Sequence, residues 1–159
     1  MKKLSLEGLK FSATKINIQN KIMTITLDRP EKKNALNNVM MNEINYALAY
    51  AKQEKTIRVV IFAANGDVFC AGADLSRTNS DSNVPKLENS DDISLSLRHL
   101  YKPVICKIQG PVLAGALLIV ANSTHALAIN EATFSAPEIH RGLWPFMVMA
   151  GLFRGMPKR

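Results

Sequence analysis

Two short stretches of small residues, Ala71-Gly72-Ala73 and Ala114-Gly115-Ala116, each follow an apolar run that ends in a turn. Small side chains let a backbone approach a ligand closely, and what such a backbone offers is N–H donors. Chemistry beside a carbonyl builds negative charge on the carbonyl oxygen, and two preorganised N–H groups stabilise that oxyanion by several kcal/mol. A helix beginning at Ala114 would point the positive end of its dipole at the same oxygen. Either loop taken singly reads as an ordinary strand-to-helix turn. Cys70 and Cys106 fall in different expected elements without metal-ligand spacing, so they read as reduced thiols rather than a disulfide or a zinc site.

Positioning those loops requires strands that end at them. Val59 to Ala63 is a short continuous apolar run stopped by Asn65-Gly66-Asp67, as a buried parallel strand would be. Val104 to Ile108 is a second, stopped by Gly110-Pro111. Upstream, Met23, Ile25 and Leu27 alternate with Thr24 and Thr26, and Ile16 and Ile18 precede Gln19-Asn20-Lys21, which predicts a hairpin. From Asn38 to about Gln53, apolar residues recur at helical spacing, with Asn34, Asn37 or Asn38 available as cap. Residues 76–92, rich in Ser, Asn and Asp, predict a mobile loop, and Ile93 to Leu100 a helix. Ala114 to Ala121, small and apolar on every side, predicts a helix buried in a crowded interior. Short strands are expected at Ala126 to Ile129 and Thr133 to Ser135, and a further helix from Phe146 to Phe153. Strands alternate with helices, so the fold class is α/β. No internal repeat is legible in the letters.

With 159 residues, 47% of them hydrophobic, residues 1–159 can bury one core and form a single domain. No apolar run approaches the roughly 20 residues of a membrane helix. Met1-Lys2-Lys3-Leu4 leads to Glu7 and Lys10 instead of a signal-peptide core, so the expected location is cytoplasmic. The net charge of +7 is spread along the chain without interleaved aromatic residues, which argues against nucleic acid and suits an anionic small molecule.

Four segments together resemble the crotonase (enoyl-CoA hydratase/isomerase) superfamily. Leu27-Asp28-Arg29-Pro30-Glu31-Lys32-Lys33-Asn34-Ala35-Leu36 is similar to its first signature and Phe69-Cys70-Ala71-Gly72-Ala73-Asp74-Leu75 to its second. Ile108 to Ala116 is similar to the third, and Thr133-Phe134-Ser135-Ala136-Pro137-Glu138 with Gly142-Leu143 to the fourth. The resemblance runs from about residue 11 to the C-terminus and implies a crotonase-like spiral of repeated ββα units. It implies an acyl-CoA thioester as substrate, coenzyme A entering as part of that substrate, with no permanently bound cofactor and no metal. It assigns the oxyanion N–H groups to Ala73 and Gly115, and places coenzyme A against Lys33, Ala35, Leu36, Ala71, Gly72, Asp74 and Leu75; Arg29, Lys32 and Lys33 are then candidates for phosphate contact, the alternative being a solvated basic turn. Glu138 becomes the catalytic carboxylate, since an apolar surround favours the neutral form of a carboxyl and suits a group that takes and returns a proton. His140, which would share a strand face with Glu138 if the extension continued, stays outside the catalytic set as a surface residue. The family also implies a homotrimer; charge spacing and hydropathy, as above, imply no nucleic-acid or membrane partner.

Two departures bear on function. Hydratases of this superfamily carry a second glutamate three residues beyond the oxyanion glycine, and the matching residue here is Leu118. A leucine neither positions water nor gives a proton, so hydration by two carboxylates is in doubt while a one-carboxylate double-bond shift stays possible. Glu88, Asp91 and Asp92 are conceivable substitutes. The family's further C-terminal helical region is not matched, so the chain is expected to be a natural short form or a truncation, with the apolar face of Phe146, Met147, Met149, Leu152 and Phe153 lacking its cover. Trp144 would line an acyl pocket or sit in the core. The expected function is an acyl-CoA enzyme of the hydratase/isomerase type; the alternatives are a non-catalytic acyl-CoA-binding or assembly subunit, or an inactive remnant.

Overall fold

A computed structural model describes residues 3–76, 82–87 and 92–155. The expected hairpin forms from β1 (Thr14–Gln19) and β2 (Ile22–Leu27), with Thr14 opposite Leu27 and Gln19 opposite Ile22. Its loop is Asn20-Lys21, both at positive φ (51° and 67°), the two-residue turn whose twist matches the flanking strands. Met23, Ile25 and Leu27 are buried, as their alternation predicts.

Parallel to β2 run β3 (Val59–Ala64), β4 (Val104–Ile108) and β6 (His125–Ala128), giving a five-stranded sheet in the order β1-β2-β3-β4-β6. Helix α1 (Asn38–Gln53) follows β2, and Asn37 is its cap, accepting from Met40 N at 2.9 Å. Its face of Met40, Ile44, Ala47, Leu48 and Ala51 is buried in the core, at roughly 1.5–3 kcal/mol for each large aliphatic side chain. Within that face lies Glu43, fully buried. Its carboxylate accepts from Ser12 N (2.7 Å), Ser12 Oγ (3.1 Å), Ala13 N (3.0 Å), Thr14 N (2.8 Å) and Thr14 Oγ1 (2.9 Å), tying the start of β1 to the helix.

A second layer is built from short parallel pieces. Strands β5 (Val112–Leu113) and β7 (Phe134–Ser135) pair, and single bridges join Cys70 to Val112 and Leu36 to Ala73. The chain therefore repeats a strand in the large sheet, a short piece in the second layer, and a helix. The repeats are β2 with Leu36 and α1, β3 with Cys70 to Ala73 and α2 (Ile93–Arg98), β4 with β5 and α3 (Leu117–Ala121), and β6 with β7 and α4 (Phe146–Gly155). This repetition, invisible in the letters, is the ββα spiral that the family resemblance implied.

Three expectations are corrected. Ala114 to Ala121 is not one buried helix: Ala114–Ala116 forms a 3-10 turn leading into α3, and only Ala116, Leu117 and Ile119 are buried. The core reading of Trp144 fails, because the residue is 58% exposed. Glu138 lies in a 3-10 turn, Pro137–Arg141, and not on an extension of β7 shared with His140. The expected uncovered face of α4 is met in part: Phe146 is 74% exposed beside exposed Met147 and Phe153, whereas Met149 is half-buried and Leu152 packs against the core; β6 at the sheet edge leaves Leu127 67% exposed. Of the segment 76–92, residues 77–81 and 88–91 lie outside the described residues. No helix among the described residues is long and apolar enough to cross a membrane.

Candidate active site

The pieces of the second layer are all parallel, so the chain leaves them at one common end. Just past Cys70 comes Ala73, just past β5 comes Gly115, and just past β7 comes Glu138. The three predicted chemical residues, far apart in sequence, thus each follow the same end of a second-layer piece.

Each amide is available for a physical reason. In the parallel bridge of Leu36 with Ala73, Leu36 N donates to Gly72 O (2.7 Å) and Asp74 N donates to Leu36 O (3.0 Å). Ala73's own N–H faces away from that pairing, as alternate residues of a parallel ladder must. Gly115 is the second residue of its 3-10 turn, where backbone N–H groups have no acceptor inside the helix. Gly72 presses the two loops together. At φ 85° it holds a conformation that favours glycine, and a Cβ built there would lie 2.7 Å from Ala114 Cβ, 3.0 Å from Leu113 O and 3.2 Å from Gly115 N. Leu113 N donating to Cys70 O (2.9 Å) fixes the same contact.

Glu138 is the candidate carboxylate. Pro137 starts its turn, and Leu143 N donating to Glu138 O (3.0 Å) closes the chain back over it. Its Oε2 is buried without a hydrogen-bond partner among the described residues. Buried polar atoms are rarely left so, which marks this oxygen as one available to a ligand.

Around the first two loops the predicted coenzyme A contacts are already engaged through their backbones. Lys33 O accepts from Ala71 N (3.0 Å), while Lys33 and Leu75 have exposed side chains and Leu36 is buried. Arg29, expected to meet phosphate, is instead turned inward: its Nη1 donates to Ala35 O (2.7 Å) and to Asp74 Oδ2 (3.1 Å). The side chains of this pair are only 15% and 9% exposed. Asp74 Oδ1 also accepts from Ser76 N (3.0 Å) and Ser76 Oγ (2.6 Å). Bonds from Ser76 foremost, then from Arg29, hold the Asp74 carboxyl down at about 2. Lys32 remains exposed at the rim.

Asn34, one of the possible caps, serves as a staple instead of a cap. Fully buried, it accepts from Arg29 N (2.8 Å) and donates to Asn65 O and Val68 O (2.8 Å each). Sequence reasoning missed both this staple and the Arg29–Asp74 pair, whose partners are 45 residues apart and leave no local signal. Leu118 leans on α4, where a Cβ added to Gly151 would lie 2.5 Å from its Cδ2. Asp92 caps α2 by accepting from Leu95 N (2.9 Å), and Glu88 and Asp91 lie outside the described residues. Cys70, beside the site, donates to Asn34 O (3.0 Å), and burial pushes its thiol up to about 12.

A family profile described as enoyl-CoA hydratase/isomerase matches residues 17–159. The chain belongs to the enoyl-CoA hydratase/isomerase family. It is 34% identical over 126 residues to mevalonyl-coenzyme A hydratase of Aspergillus fumigatus, covering 77% of this chain and 46% of that protein. To trans-2-decenoyl-[acyl-carrier-protein] isomerase of Streptococcus mutans it is 31% identical over 144 residues, covering 86% of this chain and 55% of that one. Among solved structures, an enoyl-CoA hydratase of Mycobacterium smegmatis superposes with a TM-score of 0.79 at 27% identity, covering 92% of this chain and 59% of its own. An enoyl-CoA hydratase/isomerase of Mycobacterium paratuberculosis reaches a TM-score of 0.81 at 24% identity, covering 94% and 60%. The fold is therefore the crotonase fold, and the chain spans about half the length of the curated relatives it matches.

Proposed function

We propose that this chain binds an acyl-CoA thioester, holds the carbonyl oxygen with the N–H groups of Ala73 and Gly115, and moves a proton with Glu138. The observation that carries the reading is the common exit of three parallel segments at these residues, with Gly72 pressed against Ala114 and Gly115. Both donors are backbone groups set by sheet register and helix start, so they need little reorganisation as charge develops.

One carboxylate suffices for a double-bond shift. Glu138 takes a proton from C2 of a 3-enoyl thioester, the electron pair delocalises into an enolate oxygen held by the two amides, and the same proton returns at C4. The double bond then lies between C2 and C3, with no net change in protons or electrons. Hydration asks for a second group to position water, and Leu118 at the family's position leans on Gly151 instead. Isomerisation, for which one relative is named, is therefore favoured over the hydration for which others are named.

The test is a short 3-enoyl-CoA followed by the absorbance of its conjugated product. Wild-type turnover and a loss of about 10²- to 10⁴-fold in Glu138→Gln support the reading. Micromolar acyl-CoA binding without turnover would favour the non-catalytic binding subunit. Absence of both binding and turnover refutes the proposal.

A further inference from the structure

Ala73 is exposed, yet its amide must be held to within a fraction of an ångström to act as an oxyanion donor. The backbone bonds on either side of it reach a single residue, Leu36. What flanks that bridge is a charged pair. Arg29 Nη1 grips the residue before Leu36, at Ala35 O, and the residue after Ala73, at Asp74 Oδ2. Arg29 is itself fixed at its N–H by Asn34 Oδ1, and Asn34 is anchored to Asn65 and Val68 next to β3. The second oxygen of Asp74 is satisfied by Ser76. One cation thus closes a ring that starts at the end of β2, crosses the Leu36–Ala73 bridge and returns through Asp74.

We infer that Arg29 and Asp74 are positioning residues, a latch that fixes the N–H of Ala73 from both sides of its bridge without touching substrate. This rests on the reading of Ala73 as an oxyanion donor. It also reassigns a residue whose sequence suggested a phosphate contact. A guanidinium this enclosed, with Nη1 already giving bonds to two acceptors, serves the loop and not a solvent-borne ligand. Breaking one side leaves the other charge enclosed and unpaired, which drives the loop to rearrange.

The experiment compares wild type with Asp74→Asn, Arg29→Lys, Arg29→Met and the double variant Arg29→Met/Asp74→Asn. Two readouts are taken: kcat and KM on the 3-enoyl-CoA, and hydrogen exchange of the Leu36 and Ala71 amides by NMR without ligand. Asp74→Asn and Arg29→Met are expected to lower kcat by about 10- to 100-fold with KM nearly unchanged, because an interaction felt mainly in the transition state is weakened. Exchange at Leu36 and Ala71 should accelerate about tenfold while the β2 amides keep their protection. Arg29→Lys should recover part of both, and the double variant should lose less than the two single losses combined, as coupled partners do. A raised KM with unchanged kcat would show Arg29 to be a substrate contact and overturn the latch. Unchanged exchange in folded Asp74→Asn would overturn it as well. Absence of turnover in wild type defeats the catalytic reading alone, since the exchange data judge the latch by themselves.

Discussion

Replacing Gly72 by alanine tests how the two donor loops are held, and its effect can be worked from geometry. The added Cβ would sit 2.7 Å from Ala114 Cβ, about 0.7 Å inside the 3.4 Å at which ordinary van der Waals contact begins, and 3.0 Å from Leu113 O. The φ of 85° adds the left-handed penalty of about 1–2 kcal/mol that an L side chain meets there. Overpacking of a fixed contact costs a further 1–3 kcal/mol or so. Together they predict a loss of about 2–5 kcal/mol, which in a chain of this size lowers Tm by roughly 4–20 °C. Relief of the contact must move Ala114 and Gly115 away from Ala73. A donor displaced on the scale of an ångström costs about 100-fold in rate. Thermal unfolding and kcat/KM on the 3-enoyl-CoA are measured side by side with Gly115→Ala, whose Cβ would meet nothing within 4 Å among the described residues. Gly115→Ala should melt within about 1 kcal/mol of wild type. If Gly72→Ala melts like wild type, the packing of the two loops against each other is wrong.

Glu43→Gln should destabilise by about 3–5 kcal/mol, because an amide nitrogen facing Ser12 N or Thr14 N replaces charge-assisted acceptance by donor–donor contact; denaturant unfolding measures it, and a change under about 1 kcal/mol contradicts the clasp. Acid sensitivity should be confined to low pH. The Asp74 carboxyl is held at about 2 against 3.8 when unperturbed, and Asp28 is lowered by its bond from Lys15 and then Asn65. The unfolded chain therefore binds more protons across this interval, so this stabilisation is complete above the unfolded value and is lost as pH falls through the folded one. Melting temperatures should hold level from pH 8 to 5 and drop toward pH 2, less steeply in Asp74→Asn. Burial raises the thiols of Cys70 to about 12 and Cys106 to about 11, so a disulfide reagent at pH 8 should label neither until denaturant is added. Fast labelling of the native protein would refute that burial.

Much of this molecule is written locally. The alternation of Met23, Ile25 and Leu27, the Asn20-Lys21 turn, the Asn37 cap and the apolar spacing of α1 each depend on residues close together in the chain, and the structure contains all of them. The order of the four motifs was enough to point to the family that the comparisons then showed. The same motifs made Glu138, Ala73 and Gly115 candidates. Tertiary structure decided what those residues face. Only the register of short parallel pieces brings the three to one end, and only the meeting of the segments that follow β2 and β3 turns Arg29 from solvent toward Asp74. Trp144 looks like a core residue by composition yet is exposed, and Leu118 takes its meaning from Gly151 on a later helix. Periodicity and turn chemistry are short-range and leave their mark in neighbouring letters. Burial and pairing between segments are settled by which surfaces meet, and that follows from the packing of the whole chain.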